Sequence, residues 1–503
     1  MASPKGFRER EVKLSAHWTF TVPDLGGLAD GVDAEPLPER ILDATYYDTA
    51  DFRLARWGAS LRHRTGDGSG WTVKLPEGQD GPVLVRRELP FAGGPGEPPG
   101  EAVDLVRAYV RTGALLPVAR LQTVRRGVEL RDGEGQRLLE VVDDDVTVLD
   151  GDRLVARFRE VEVEAGDRAP ADLFRAVLDC LRDAGAGDLD ASPKIVRALG
   201  SRAAAGPEVV VPDMGDDPTG AEVVRAAIAS SVRRVLEHDA GVRLGDDPED
   251  VHQARVGTRR LRSDLRTFRP LLALDWAEDL RAELRWAAAA LGAVRDADVL
   301  TERLRAQAAG LPEVDAAGFA PVLRRLADER EAARLALAEA MGSDRYVALL
   351  DRLVDAANAP QTTAAAEARA AKSLPPLVAR QWRKLRRAVD DLPASPPDDD
   401  LHAVRILAKR ARYAAEAVAP AAGKPARRLA AAIAEVQGVL GDHHDAIVAE
   451  GWLRAAVEEA DVAQALALGE LIGLQRSAAA HCRKEWRGAW KGADRKKLRK
   501  WLR

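Results

Sequence analysis

The chain has 503 residues, of which 46% are hydrophobic and 31% charged, and a formal net charge of −5. That is the composition of an ordinary folded protein with length for two to four domains, and it excludes a disordered or collagen-like chain. No apolar run approaches the roughly 18 residues of a membrane helix, and the opening MASPKGFRER offers nothing a signal peptide could use. Cys180 and Cys482 stand far apart in no metal-binding spacing, which excludes a cysteine zinc site and fits a reducing, cytoplasmic compartment.

From residue 7 to about 165 the period is two, with short runs parted by Gly, Pro and Asp. This predicts eight strands, at about 7–14, 41–48, 59–65, 70–76, 83–90, 120–130, 137–148 and 153–164. Eight strands with hairpin-like links suggest an antiparallel barrel. Their charges alternate: Glu9, Glu11 and Lys13 on the first, Arg62 and Arg64 on the third, Arg86 and Glu88 on the fifth, Glu140 and Asp144 on the seventh, and Glu160, Glu162 and Glu164 on the eighth. Lys74 lies on the fourth and Arg125 on the sixth.

One solvated face would explain any single strand of this kind. The grouping points elsewhere, because the first and last strands carry mostly acids and the middle strands mostly bases. A closed barrel would set acids opposite bases inside, where they must neutralise one another or bind something. A metal–polyphosphate ligand suits both sets: carboxylates hold Mg²⁺ or Mn²⁺, and Arg and Lys hold phosphate oxygens. His63 lies between two inward arginines and is expected to point out of the tunnel.

Glu9-Arg10-Glu11-Val12-Lys13 resembles the ExExK signature of CYTH proteins, the triphosphate tunnel metalloenzymes. Tyr46-Tyr47-Asp48-Thr49, the segment Leu54 to Arg64, Trp71 to Lys74, Arg86-Arg87-Glu88 and Phe158 to Glu164 extend the likeness in order over about residues 5–200. It implies an eight-stranded tunnel that binds a triphosphate; family members include inorganic and thiamine triphosphatases and class IV adenylyl cyclases. Glu9 and Glu11 match the metal-binding glutamates, with Glu160 and Glu162 as partners and Glu88, Glu140 and Asp144 as further metal or water-orienting acids. Lys13, Arg62, Arg64, Lys74, Arg86 and Arg125 match phosphate-gripping bases. Lys194 sits where the family has a lysine after a helix.

Helical segments are expected near 99–113 and 170–185, and residues 201–218 collect Gly, Pro and Asp as a linker between a domain 1–200 and a domain 219–503. Everything beyond Thr219 reads as an all-α bundle. His252, Arg255, Arg259, Arg262 and Arg266 follow at steps of 3, 4, 3 and 4, a single cationic stripe on one helix. The stripe returns at His402, Arg405, Lys409 and Arg412, an offset of 150, with Arg410 matching Arg260. Leu291 to Asp296 and Leu440 to Asp445 repeat at an offset of 149, with His444 where Arg295 stands. Two repeats, about 219–360 and 366–503, would bring the stripes to one groove about a pseudo-twofold. Asp296 and Asp445 are expected to orient an arginine, and Glu416 replaces Arg266 in the second copy.

These residues resemble the CHAD domain, a likeness over about residues 219–503 that implies polyphosphate binding by His252, Arg255, Arg259, Arg260, Arg262, Arg266, Arg295, His402, Arg405, Lys409, Arg410, Arg412 and His444. Nucleic acid is the competitor for any basic groove, but the stripes lack interleaved base-stacking aromatics; arginine neighbours argue against a metal at the histidines. The basic C-terminus, with Trp486, Trp490 and Trp501, is expected to pack its tryptophans and leave its lysines in water rather than lie on a membrane. The expectation is a cytoplasmic, metal-dependent triphosphatase with a polyphosphate-binding domain and a tie to polyphosphate granules. The alternatives are a non-catalytic polyphosphate binder and an ATP-using cyclase.

Overall fold

The computed structural model describes residues 6–81, 83–166, 168–312 and 317–502. They form two compact units, Met1–Glu208 and Val209–Arg503.

The first unit is built on strands β1 (Phe7–Ser15), β2 (Val32–Pro36), β3 (Arg40–Asp48), β4 (Ser60–Thr65), β5 (Gly70–Asp80), β6 (Val83–Phe91), β7 (Leu116–Asp132), β8 (Arg137–Asp150) and β9 (Arg153–Ala165). The pairing order β7-β3-β4-β5-β6-β1-β9-β8 is closed by a β7–β8 ladder, so eight antiparallel strands make a barrel. The ninth, β2, hangs from β7 alone. Its VDAEP, with two acids and a proline, carries little strand propensity and escapes a periodicity reading. Short helices α1 (Arg53–Arg56), α2 (Gly100–Leu105) and α3 (Arg107–Val110) fill the connections, and α4 (Ala171–Asp183) and α5 (Lys194–Leu199) follow the barrel.

This barrel has a polar interior. Val12, Leu14, Leu139, Val141, Val161 and Val163 point outward into a core completed by Leu173, Val177, Leu178 and Leu181 of α4. The residues alternating with them, Glu9, Glu11, Lys13, Glu160 and Glu162, are therefore inside and also buried. His63 points out of the tunnel as expected, buried with its ring 5.3 Å from that of Trp71.

The second unit is helical. A capping box of Thr219 and Glu222 starts α6 (Gly220–Leu244), and Asp247 caps α7 (Pro248–Thr267) with Pro248 in its first turn. Gly257 lets the two helices close up, since a Cβ there would meet Val235 Cγ2 at 2.8 Å and the Ser231 carbonyl at 3.0 Å. Next come α8 (Leu274–Ala308) and Ala320–Gly342; Asp344–Asn358 packs back on α6. The set then recurs as Pro375–Asp390, Asp398–Val457 and Val462–Ala493, the middle segment being two helices that meet at Gly423, whose φ of 67° breaks it. Trp486 and Trp490 are buried, Trp490 stacks on Trp382 at 5.4 Å, and Lys484 and Lys491 are exposed. No described helix is long and apolar enough to cross a membrane.

Candidate functional site

Strand register decides which charges meet in the barrel. On β8, β9 and β1, Glu140 pairs with Glu164 and Glu164 with Glu11, so three carboxylates stand level on adjacent strands. Like charges in direct cross-strand register repel, and burial sharpens the cost. Oxygen atoms of Glu9, Glu11 and Glu164 lie within 4.8 Å of one another. Burial, with Glu9 and Glu162 beside it, pushes the Glu164 carboxyl up to about 7. Three converging carboxylates, of which Glu9 and Glu11 also touch Lys74 and Arg86, fit a hard, oxygen-liganded divalent ion such as Mg²⁺ or Mn²⁺.

Bases line the facing strands around a cavity of about 190 Å³, into which Arg62, Arg64, Lys74, Arg86, Arg125 and Lys194 all project. Lys74 Nζ donates to Glu9 at 2.7 Å and lies 2.7 Å from Glu88. Burial would raise both carboxyls, but Lys74 with Arg86 holds Glu9 down, and Lys74 with Arg62 holds Glu88 at about 2. Arg125 donates to Asp144 at 2.6 Å and to Glu162 at 3.1 Å. Lys13 contacts Glu162, and Arg86 contacts Glu11. Lys194, at the start of α5, reaches Asp144, Glu160 and Glu162 at 2.9, 2.8 and 2.8 Å. The Nε donors of Arg62 and Arg86 are buried with no acceptor among the described residues. The wall can thus accept further anionic oxygen.

The acids placed with Glu9 and Glu11 on sequence grounds do different things. Glu160 and Glu162 are occupied by Lys194, Arg197, Lys13 and Arg125. Glu88 belongs with Lys74, Asp144 with Arg125 and Lys194, and Glu140 with Arg40 at 3.3 Å and Arg137 at 2.7 Å. Arg125, not Arg126, faces inward; Arg126 pairs with Glu39 at a half-exposed site.

In the helical unit, the two stripes converge over part of their length. Arg255 and Arg259 of α7 reach Arg405 and Lys409 of Asp398–Val457 electrostatically. Burial and these neighbours lower the Arg405 guanidinium and bring the Lys409 ammonium down to about 8. Each stripe repeats one local device. Arg255 is held by Asp296 at 2.9 Å and Arg405 by Asp445 at 3.6 Å, as expected of those aspartates. The two guanidinium groups lie over Gly292 and Gly441, where a Cβ would sit 3.6 and 3.7 Å from their Nε atoms. The His402 ring lies 4.1 Å from that of His444, while His252 faces Arg295 in the equivalent place. Burial and adjacent cations lower all three imidazoles, His444 to about 4. Arg259 Nε, Arg405 Nε, Arg410 Nε and His402 Nδ1 are buried without a hydrogen-bond partner among the described residues.

The remainder of the expected stripe meets other neighbours. Arg262 faces Arg281 and Arg285 of α8, and Arg266 faces Arg410 and Arg281, which with burial takes Arg266 down to about 10. Glu416 captures Arg260 and Arg412, each at 2.7 Å.

Family models match this chain twice: the CYTH domain over residues 8–195 and the CHAD domain over residues 226–454. The chain belongs to the CYTH–CHAD family. Two uncharacterised Mycobacterium tuberculosis proteins, one from each of two strains, are 31% identical over 98% of this chain and 98% of their own length. Among solved structures, PptA from Streptomyces chartreusis is 28% identical, with a TM-score of 0.46, covering 55% of this chain and 99% of that one. The CHAD domain from the plant Ricinus communis is 26% identical, with a TM-score of 0.46, covering 57% and 95%.

In the CYTH unit, sequence reasoning passed over Glu164 and Arg197 as site residues, and in the CHAD unit over Arg281 and Arg285. Glu164 carries the same alternation as Glu160 and Glu162, and only register singles it out. Arg197 follows Lys194 by three residues on a helix, a spacing that signals a shared face.

Proposed function

We propose that the CYTH unit hydrolyses inorganic triphosphate or a related short triphosphate, with Mg²⁺ or Mn²⁺ held by Glu9, Glu11 and Glu164, and that the CHAD unit binds long-chain polyphosphate. The observation that carries the first half is the Glu9–Glu11–Glu164 cluster, with oxygens within 4.8 Å of one another, opposite a wall of buried bases. The chemistry needs little covalent help from protein: phosphoryl transfer is governed by positioning and charge neutralisation. When bound, the metal supplies charge for the phosphate oxygens and activates the attacking water. Arg62 and Arg86, each with an unused Nε donor, grip the non-reacting phosphates. Lys74 and Lys194 exchange internal carboxylates for phosphate oxygens, keeping the chain in line. The closed wall limits competing solvent.

For the CHAD unit, the support is a cluster of Arg255, Arg259, Arg405 and Lys409 whose mutual repulsion an anion relieves. The ring of Tyr413, the aromatic residue beside it, has Arg259, Arg260 and Arg412 at 5.7, 5.8 and 5.6 Å. Guanidinium groups fill the place a nucleobase would take, which favours condensed phosphate over single-stranded nucleic acid. Such a domain would carry the protein to polyphosphate deposits in the cytoplasm.

Phosphate release from triphosphate should require added Mg²⁺ or Mn²⁺ and should fall on the order of 10²-fold in Glu9→Gln and Glu11→Gln, the usual loss of one strong electrostatic contact. Unchanged turnover would remove the roles assigned to these residues. Polyphosphate should displace single-stranded DNA from the full chain at equal phosphate concentration; the reverse preference would overturn the partner.

A further inference from the structure

The cationic cleft contains one group whose chemistry differs from the rest. Arginine is not acylated under physiological conditions, whereas a lysine amine is a nucleophile once deprotonated. Lys409 is half-buried, with its ammonium facing Arg405 on its own helix and Arg255 and Arg259 on α7. Asp445 adds an opposing charge, and the His402 and His444 imidazoles lie within electrostatic reach. It forms no ion pair among the described residues; Asp445 is spent on Arg405 at 3.6 Å. The Nε donors of Arg259 and Arg405 beside it are buried and unused.

We infer that Lys409 is an acylation site for small acyl phosphates, compounds that join an anionic phosphoryl group to an electrophilic carbonyl one bond away. The inference rests on reading this cleft as a phosphate site. The unused guanidinium donors hold the phosphoryl end, and this sets the carbonyl carbon against the amine. The ammonium first releases a proton, which the low affinity for protons at this position favours, with burial and then Arg405 as the causes. The amine nitrogen attacks the carbonyl carbon, a C–N bond forms, and the C–O bond to phosphorus breaks with its electron pair leaving on phosphate. The second amine proton goes to the departing phosphate. Acyl-lysine, hydrogen phosphate and one released proton balance the ammonium and acyl phosphate consumed, and no oxidant or further reactant enters. The product removes a positive charge from the centre of the cleft, so acylation would weaken polyphosphate binding on the order of tenfold, about what one charge-assisted hydrogen bond contributes.

The test is site-resolved mass spectrometry of the full-length protein incubated with acetyl phosphate near pH 8. Lys409 should acetylate about tenfold faster than the exposed Lys484 and Lys491, a modest effective-concentration gain, and long-chain polyphosphate should suppress Lys409 alone. Acetic anhydride, which has no phosphoryl handle but shares whatever advantage the free amine gives, should prefer Lys409 distinctly less than acetyl phosphate does. Equal rates at Lys409, Lys484 and Lys491 with acetyl phosphate would overturn the inference, as would the same preference for Lys409 with the anhydride. Polyphosphate binding measured on the same preparation separates the two levels: intact binding without Lys409 selectivity sinks the acylation site alone, and absent binding sinks the cleft reading.

Discussion

Glu164 holds its proton to about 7 because burial, Glu9 and Glu162 all oppose its charge. Its neighbours Glu160 and Glu162 have the same alternation but are matched by Lys194, Arg197, Lys13 and Arg125. With no ion pair among the described residues and two carboxylates beside it, Glu164 is the acid most in need of a metal, and it is the one a metal must deprotonate. Glu164→Gln should therefore weaken Mn²⁺ binding to the full-length protein by roughly 10- to 100-fold, the range typical when support for a metal site is lost. Calorimetric titration with Mn²⁺ in the absence of triphosphate would measure it, and an unchanged affinity would exclude Glu164 as a ligand. The alternation along β9 is plain in the sequence, and so is the inward direction of all three glutamates. Which one stands level with Glu11 depends on the β1–β9 register, Glu11 with Glu164 and Lys13 with Glu162, and register between strands about 150 positions apart leaves no mark on either strand alone.

The duplicated helix pairs show what an element-level reading captures. Offsets of 150 and 149 identify Arg255 with Arg405 and Asp296 with Asp445, and the folded protein joins them accordingly. Steps of 3 and 4 keep all five side chains within about 80° of one another on a 3.6-residue helix, so Arg262 and Arg266 leave the crossing by distance along α7 rather than by direction. There they meet Arg281 and Arg285 of α8, which lie outside either stripe. Gly292 and Gly441 are flat floors for the two paired arginines, with Cβ positions at ordinary contact distance rather than in collision. Gly292→Ala and Gly441→Ala should thus keep polyphosphate affinity within about twofold while each adds roughly 0.5–1 kcal/mol of helix stability. Gly441→Leu should lift Arg405 from Asp445 and reduce affinity on the order of tenfold, the contribution of one charge-assisted contact. Fluorescence titration with labelled polyphosphate beside chemical denaturation separates the two effects.

At the scale of the whole chain, eight barrel strands and the helical repeat follow from periods of 2 and 3.6 and from the 150-residue offset, whereas β2 and the paired state of Arg260 and Arg412 needed the folded neighbours. The histidines give the CHAD unit a pH dependence with a fixed sign. His444 binds its proton at about 4 when folded against an ordinary 6.5, so unfolding takes up a proton between those values. Its contribution is present above pH 6.5 and is lost as pH falls toward about 4. His252 and His402 act in the same direction. Bound polyphosphate reverses the local charge and favours the imidazolium form, so affinity should rise as pH drops from 8 to 5.5, aided at the upper end by protonation of Lys409. Thermal unfolding of the full-length protein at pH 7 and pH 5.5, with and without polyphosphate, should show the helical unit's transition moving down on acidification and polyphosphate recovering more of it at the lower pH. A transition indifferent to pH would rule out these imidazoles as the coupled groups.

Glu416 gives the cleft a direction. Where the first copy has Arg266 beside Arg281 and Arg410, the second has an acid that ties up Arg260 and Arg412. A linear phosphate polymer reads the same from either terminus, yet the two exits from the Arg255–Arg405 crossing are unlike: one continues past Arg266 and Arg410, which form no ion pair among the described residues, and the other closes on the ion pairs of Glu416. A chain longer than the crossing would consequently overhang on the arginine side, and its register would be set by the protein rather than by any feature of the polymer. If the cleft holds polyphosphate as proposed, this one difference between two matching copies would make a polar track of a symmetric clamp.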